Sequence, residues 1–154
     1  MVNKKIRNAT PNQLGNIKFK SKLETNIYKT LIKEGFTPQY EEHKFILWEG
    51  FRPSVPFYTR DKFKKTVLKL NKLINITYTP DFYLEYQGLK IIIEAKGMVN
   101  DVYPYKFKMF RKIIENRPDK KDFMLFEIYT KKQLLESIQI IKAYATNRQN
   151  EKSD

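Results

Sequence analysis

Ile76-Thr77-Tyr78-Thr79-Pro80-Asp81-Phe82-Tyr83-Leu84-Glu85-Tyr86-Gln87-Gly88-Leu89-Lys90-Ile91-Ile92-Ile93-Glu94-Ala95-Lys96-Gly97 is the stretch on which the fold turns. Ile76 to Tyr86 and Leu89 to Lys96 are β-branched and aromatic runs joined at Gln87-Gly88, which predicts two strands in a short hairpin. Strands so apolar belong in a core, yet they carry Asp81 and, after twelve intervening residues, Glu94-Ala95-Lys96. Isolated ions resist desolvation, so such charges must be paired or must hold a metal. Glu94 and Lys96 stand two apart and project from one face of their strand. Taken singly, Asp81 reads as a turn residue after Pro80, and Glu94/Lys96 as a salt-bridged pair on an edge strand. Taken together, with the isoleucine run before them and Gly97 closing it, they point to a divalent-metal site for phosphodiester hydrolysis.

Composition narrows the chemistry. The 154 residues suit one domain with a real core. A formal charge of +13 calls for a polyanionic partner, and the mixture of lysines with 10 tyrosines and 11 phenylalanines favours nucleic acid. No run of apolar residues is long enough to span a bilayer and no secretory h-region opens the chain, so no membrane partner and a cytoplasmic location are expected. Cysteine is absent, which excludes disulfides and thiolate metal sites. His43 is the sole histidine and has no nucleophile-elbow glycines beside it. Any metal must therefore take oxygen ligands, which favours Mg²⁺ or Mn²⁺.

Outward from the central strands, the expected order is helix, three strands, helix, strand, helix: an α/β protein around a short mixed sheet. Residues 1–17 read as a flexible basic arm, 18–146 as a single domain with an insertion at about 49–75, and 147–154 as a polar, frayed tail. Leu23, Ile27, Leu31 and Ile32 predict a helix from Ser21 to Lys33 ending at Gly35. Glu24 lies inside its apolar arc. Ser21-Lys22-Leu23-Glu24 also has the form of a capping box, so Glu24 has a structural and a functional reading. Gln39 to Trp48 reads as extended. Thr59 to Leu73 fits either a helix or a strand pattern, and a basic β-hairpin is preferred. A helix beginning near Pro104, a strand from Phe123 to Tyr129 and a helix capped at Thr130 complete the chain.

Phosphodiester hydrolysis needs a nucleophilic water, neutralisation of the phosphate and stabilisation of the leaving oxygen, all of which carboxylate-held Mg²⁺ can supply. Asp81 and Glu94 on neighbouring strands can converge on one cation, with the Ala95 carbonyl as a further ligand. Lys96 can orient the water or stabilise developing charge. Glu24 can reach the same place from the helix above the sheet.

Pro80-Asp81 with Glu94-Ala95-Lys96 resembles the PD-(D/E)XK nuclease superfamily. More narrowly, Ser21-Lys22-Leu23-Glu24, Tyr40-Glu41-Glu42, Tyr78-Thr79-Pro80-Asp81-Phe82 and Glu94-Ala95-Lys96-Gly97 resemble the phage endonuclease I family of Holliday-junction resolvases. Phage-encoded proteins of unassigned activity with the same nuclease core are a second comparison, and a phage protein would work in the host cytoplasm. The resemblance spans roughly Ser21 to Gly97. It implies a restriction-endonuclease-like core, Glu24, Asp81 and Glu94 as metal ligands, Lys96 as catalytic lysine, and a homodimer acting on branched DNA. The chain departs from that family at Gln39, where an acid is usual and Glu41 lies two residues on and is expected to share its face, and in the long insertion after Trp48.

Lys18, Lys20 and Lys22 before and in the first helix, Lys62, Lys64 and Lys65 in the insertion, and Lys106, Lys108, Arg111 and Lys112 after the motif are candidate phosphate contacts. His43 and Trp48 read as packing residues. The expected activity is thus a metal-dependent endodeoxyribonuclease selective for junctions. The alternatives are a restriction-like or nicking nuclease, or an inactive DNA-binding module on the same fold.

Overall fold

A computed structural model of the chain describes residues 12–97 and 100–154. β1 (Asn12–Leu14) and β2 (Ile17–Phe19) form an antiparallel hairpin. Most of the expected arm, residues 1–11, lies outside the described residues, but from Asn12 onward the expectation of a flexible arm is corrected. The signal was the turn dipeptide Gly15-Asn16, and the anchor is Phe19, fully buried against Tyr28, Tyr40 and Phe82.

α1 (Lys22–Lys33) follows, with Ser21 Oγ accepting the Glu24 N–H. It ends as a Schellman turn: Gly35 adopts φ +89°, Phe36 N–H bonds Leu31 O, and Gly35 N–H bonds Ile32 O. The extended segment expected from Gln39 to Trp48 is in fact two strands in different sheets, β3 (Gln39–Tyr40) and β4 (Phe45–Trp48). Glu41, at φ +50°, turns the chain between them. β5 (Tyr58–Arg60) and β6 (Thr66–Leu68) pair as the preferred basic hairpin.

The strand expected from Ile76 to Tyr86 is broken at Thr79-Pro80-Asp81 into β7 (Ile76–Tyr78) and β8 (Phe82–Tyr86). Proline has no N–H to give a ladder, and the two halves take different partners: β7 pairs with β4, β8 with β9 (Leu89–Ala95). Gln87 and Gly88 both have positive φ, as the two-residue hairpin turn requires. α2 (Tyr103–Glu115) then crosses over, so that β10 (Phe123–Ile128) runs parallel to β9. α3 (Lys131–Ser153), capped by Thr130, closes the chain. It continues through the tail expected to fray at Asn147, because Arg148 binds Asp122 at 2.6 Å and ties the last turns to the body.

The central sheet has the order β10-β9-β8-β3. Leu89, Ile91 and Ile93 face α1 and α3 and bury with Leu31, Phe82, Leu134, Ile138 and Ile141. Ile92 faces the other way, toward α2 and the β4–β7 pair, with Tyr78, Tyr83, Phe110 and Ile114. Each fully buried isoleucine contributes about 1.5–3 kcal/mol, and β9, covered on both sides, is the spine of a mixed α/β protein. Among the described residues no helix is long and apolar enough to cross a membrane.

Candidate active site

Asp81 and Glu94 meet where β8 and β9 begin and end. Phe82 pairs with Ile93, so the next rung sets Asp81 against the last residues of β9. Ala95 N–H donates to Asp81 Oδ2 at 2.7 Å, and Asp81 N–H points at Glu94 Oε2 at 3.4 Å. The Asp81 carbonyl accepts from Glu41 N–H, which holds the turn in place. Beyond β9, Lys96 N–H bonds Ile128 O at 2.8 Å, so the parallel pairing with β10 carries the lysine into a fixed position.

Glu94 and Lys96 are 8% and 7% exposed, which is exceptional for charged side chains. They satisfy each other: Lys96 Nζ lies 3.1 Å from Glu94 Oε1, while Tyr78 Oη donates to Glu94 Oε2 at 2.6 Å. Lys96 Nζ also sits 3.0 Å from the centre of the Tyr103 ring, a cation–π contact from the first turn of α2. Tyr103 Oη and Tyr129 Oη both donate to Glu127, the residue paired with Glu94 across β9 and β10. A continuous polar chain thus runs from Tyr78 through Glu94, Lys96 and Tyr103 to Glu127.

Glu24 approaches from α1. Ser21 does cap its N–H, but the reciprocal half of the capping box is missing. Glu24 Oε2 instead accepts the Lys20 N–H at 3.0 Å and the Tyr40 hydroxyl. Glu24 is buried, and its charge is felt at Asp81. Burial, then the Glu94 and Glu24 charges, lift the Asp81 carboxyl well above the ordinary carboxylate range, against the Ala95 N–H and Lys96. Burial and the neighbouring Glu94 charge hold the Tyr78 and Tyr103 hydroxyls protonated, and burial with the Glu24 bond does the same for Tyr40.

The described residues contain no group of three His, Asp or Glu side chains already arranged around a single point. The donor chemistry nevertheless suits a hard divalent cation. Asp81 Oδ1 and Glu24 Oε1 carry no hydrogen bond among the described residues, and the crowding that raises Asp81 is the kind a cation relieves.

The remaining expectations divide. Glu41 does not share a strand face with Gln39; it lies on the turn after β3 and pairs with Lys20. Lys20 is therefore engaged, whereas Lys18 and Lys22 are exposed. Lys108, Arg111 and Lys112 occupy an exposed face of α2, and Lys106 is half-buried on its flank. Lys62, Lys64 and Lys65 are exposed at the β5–β6 turn. His43 stacks on Tyr83 and bonds Gln39, as a packing residue should. Trp48 meets Phe51 edge-on but remains 39% exposed. A Cβ on Gly97 would meet nothing within 4 Å, so the fold itself makes no demand for glycine there. Sequence reasoning gave no role to Tyr40, Tyr78, Tyr103 or Glu127. Their proximity to the acids is set by strand pairing and by the α2 crossover.

Fold and site together define an α/β protein with a buried acid–lysine pair and a further crowded carboxyl at one end of its central sheet. The chain belongs to the family described as "Protein of unknown function (DUF1064)", whose model matches residues 4–135 and so takes in Glu24, Asp81, Glu94, Lys96 and the whole 49–75 insertion. No curated protein and no solved structure matches the chain.

Proposed function

We propose that the protein is a metal-dependent endonuclease that hydrolyses DNA phosphodiester bonds at the Asp81–Glu94–Lys96 end of the sheet. The observation that carries this reading is the direct coupling of Asp81 to β9 through Ala95 N–H, with Glu94 buried beside it and ion-paired to Lys96. The element order supports it: α1, then β3, β8 and β9, then α2 and a parallel β10 is the order expected for a restriction-endonuclease-like core. The charge of +13 supports a nucleic-acid substrate.

In this reading Glu24, Asp81 and Glu94 would hold Mg²⁺ or Mn²⁺, with the Ala95 carbonyl as a backbone ligand. When bound, the ion supplies charge neutralisation at the phosphate and a more acidic water. The chain's own residues do the positioning. Tyr78 and Tyr40, held protonated, fix the Glu94 and Glu24 carboxylates by donating to them. The Ala95 N–H fixes one Asp81 oxygen and leaves the other without a hydrogen bond among the described residues. Lys96, released from Glu94, presents an ammonium to the negative charge that grows on the phosphate oxygens. A homodimer acting on branched DNA, as the resemblance implies, is the form in which paired cuts would arise.

The closed Glu94–Lys96 pair favours one second reading, a DNA-binding module that keeps the fold without turnover. A labelled four-way junction and its matched duplex, incubated with wild type and Asp81→Asn in Mg²⁺ or EDTA, separate the two. Paired Mg²⁺-dependent cuts confined to the junction and lost in the variant establish the junction nuclease. Equal cutting of both DNAs removes the junction preference, and tight binding without cutting in any divalent metal supports the module.

A further inference from the structure

The insertion is built as one long arm. Its root is the β4–β7 pair, in which Phe45 stands opposite Tyr78 and Trp48 opposite Ile76. Gly50 N–H then bonds Asn75 Oδ1, and a Cβ on Gly50 would lie 2.1 Å from Leu73 O, so only glycine lets the strands close there. Leu73 N–H bonds Phe51 O and Lys69 N–H bonds Phe57 O, leading into the β5–β6 ladder. At about 3.3 Å per extended residue, the returning strand from Lys64 to Asn75 gives a reach of at most ~36 Å. The root is also the site: Tyr78, the last residue of β7, donates to Glu94.

The turn at the far end is specified in detail. Asp61 Oδ1 accepts from Phe63 N–H at 2.8 Å and Lys65 N–H at 2.9 Å, and Lys64 takes a left-handed φ of +64° that a glycine would adopt more easily. The outcome is a tip that shows Lys62, Phe63, Lys64 and Lys65 to solvent, with Phe63 70% exposed and Lys62 Nζ 5.1 Å above its ring. From Gly50 to Asn75 the arm has seven basic residues and one acid, and that acid, Asp61, is taken up by the turn. None of the seven pairs with an acid among the described residues.

A two-stranded hairpin with uncovered faces is marginal in water, and this one carries exposed apolar side chains along its length. Its charge decides what covers it. A second copy carries the same +13 and its charge disfavours it as the cover of an arm this basic, whichever other face a dimer uses, whereas a polyanion complements the arm. A two-stranded ribbon fits the major groove, and an aromatic side chain flanked by cations can stack on an unpaired base or wedge at a distorted step.

We propose that the arm docks on the DNA held at the acid–lysine site, with Phe63 stacking on a base exposed where the duplex is interrupted and Lys62, Lys64 and Lys65 gripping the flanking phosphates. The proposal rests on the reading of the chain as a DNA-acting protein and assigns the recognition of duplex discontinuity to a residue remote from the chemistry.

The test measures binding in EDTA, where cutting plays no part. The full-length protein is titrated into a four-way junction carrying 2-aminopurine at the branch point and into the matched duplex. Phe63→Ala should weaken junction binding about tenfold, remove the 2-aminopurine fluorescence change and leave duplex binding within about twofold, while Phe63→Trp retains both properties. Lys62→Ala/Lys65→Ala should weaken both DNAs and flatten the salt dependence. Equal loss on both DNAs in Phe63→Ala, or no loss on either, overturns the proposal. So does a Phe63→Ala protein whose sedimentation shows a dimer converted to monomer, because the tip would then serve a second copy. Junction-selective binding lost with Phe63 but accompanied by no cutting in Mg²⁺ would keep the arm and remove the nuclease. If wild type binds neither DNA, both readings fall.

Discussion

The acid–lysine end of the sheet and the arm from Gly50 to Asn75 handle charge in opposite ways. At the sheet end Glu94 and Lys96 are withdrawn from water and each is answered by protein: an ion pair, a tyrosine hydroxyl, an aromatic face. On the arm the cations are left exposed without acids, and apolar side chains such as Phe63 and Ile74 stand exposed beside them. The first arrangement opposes stability unless every partner is present. The second contributes little to stability whether present or absent. Perturbing the first should therefore disturb chemistry and folding together, and perturbing the second should disturb binding and the arm's own ladder while leaving the core's stability unchanged.

The largest effect belongs to Asp81. Asp81→Asn should lower Mg²⁺-dependent cleavage by at least about a hundredfold, read as initial rate on a labelled junction. It should not lower the Tm of the metal-free protein, since the carboxyl it removes is crowded by Glu94 and Glu24. The pH dependence gives the sign. A carboxyl whose folded pKa is raised binds its proton more tightly in the native state, so stability is lost as pH rises from the unfolded value near 3.8 through the raised folded value. In EDTA, the Tm of Asp81→Asn relative to wild type should climb across that window and then level off. Mg²⁺ should raise the Tm of wild type and not of the variant. A flat difference across pH would mean that the three carboxylates do not share a field.

Next in size is Lys96. Lys96→Met leaves Glu94 buried without its cation and should cost about 3 kcal/mol in urea unfolding at neutral pH, with cleavage abolished. If stability is unchanged, the Tyr78 hydroxyl and the Asp81 N–H are enough for Glu94, and the contrast between the two regions weakens.

How much of this contrast could be read from the residues differs by position. The β8–β9 hairpin was legible because Gln87-Gly88 and the alternating apolar runs are local signals, and Ser21 and Thr130 announced their helices for the same reason. The break at Pro80 was visible as a proline but not as a change of partner, because pairing β7 with β4 is a tertiary choice. Glu24 illustrates the limit. Its spacing from Ser21 fitted a cap, and only the folded position of Tyr40 and Lys20 shows where its carboxylate goes. Tyr103 reaches Lys96 through a crossover helix, and Glu127 reaches Tyr103 through a parallel register, neither of which leaves a mark in the spacing of residues. The periodicity of 59–73 fitted two templates because a ribbon with no buried face has no reason to alternate cleanly.

Two smaller effects test the arm's independence. Gly50→Ala puts a methyl into the Leu73 carbonyl and should open the root of the ribbon, an overpacking penalty of about 1–3 kcal/mol. β5 and β6 bury nothing in the two core clusters, so the penalty should be local. Hydrogen exchange of the Lys69 and Leu73 amides should accelerate while that of Ile91 to Ile93 in β9 is unchanged. Phe63→Ala should be smaller still, within about 0.5 kcal/mol of wild type in urea unfolding, because an exposed side chain at a turn has no packing to lose. A destabilisation well beyond that limit would show that Phe63 already packs on the protein in solution. The arm would then be part of the body, and the division between a region that holds charge in and one that holds it out would not stand.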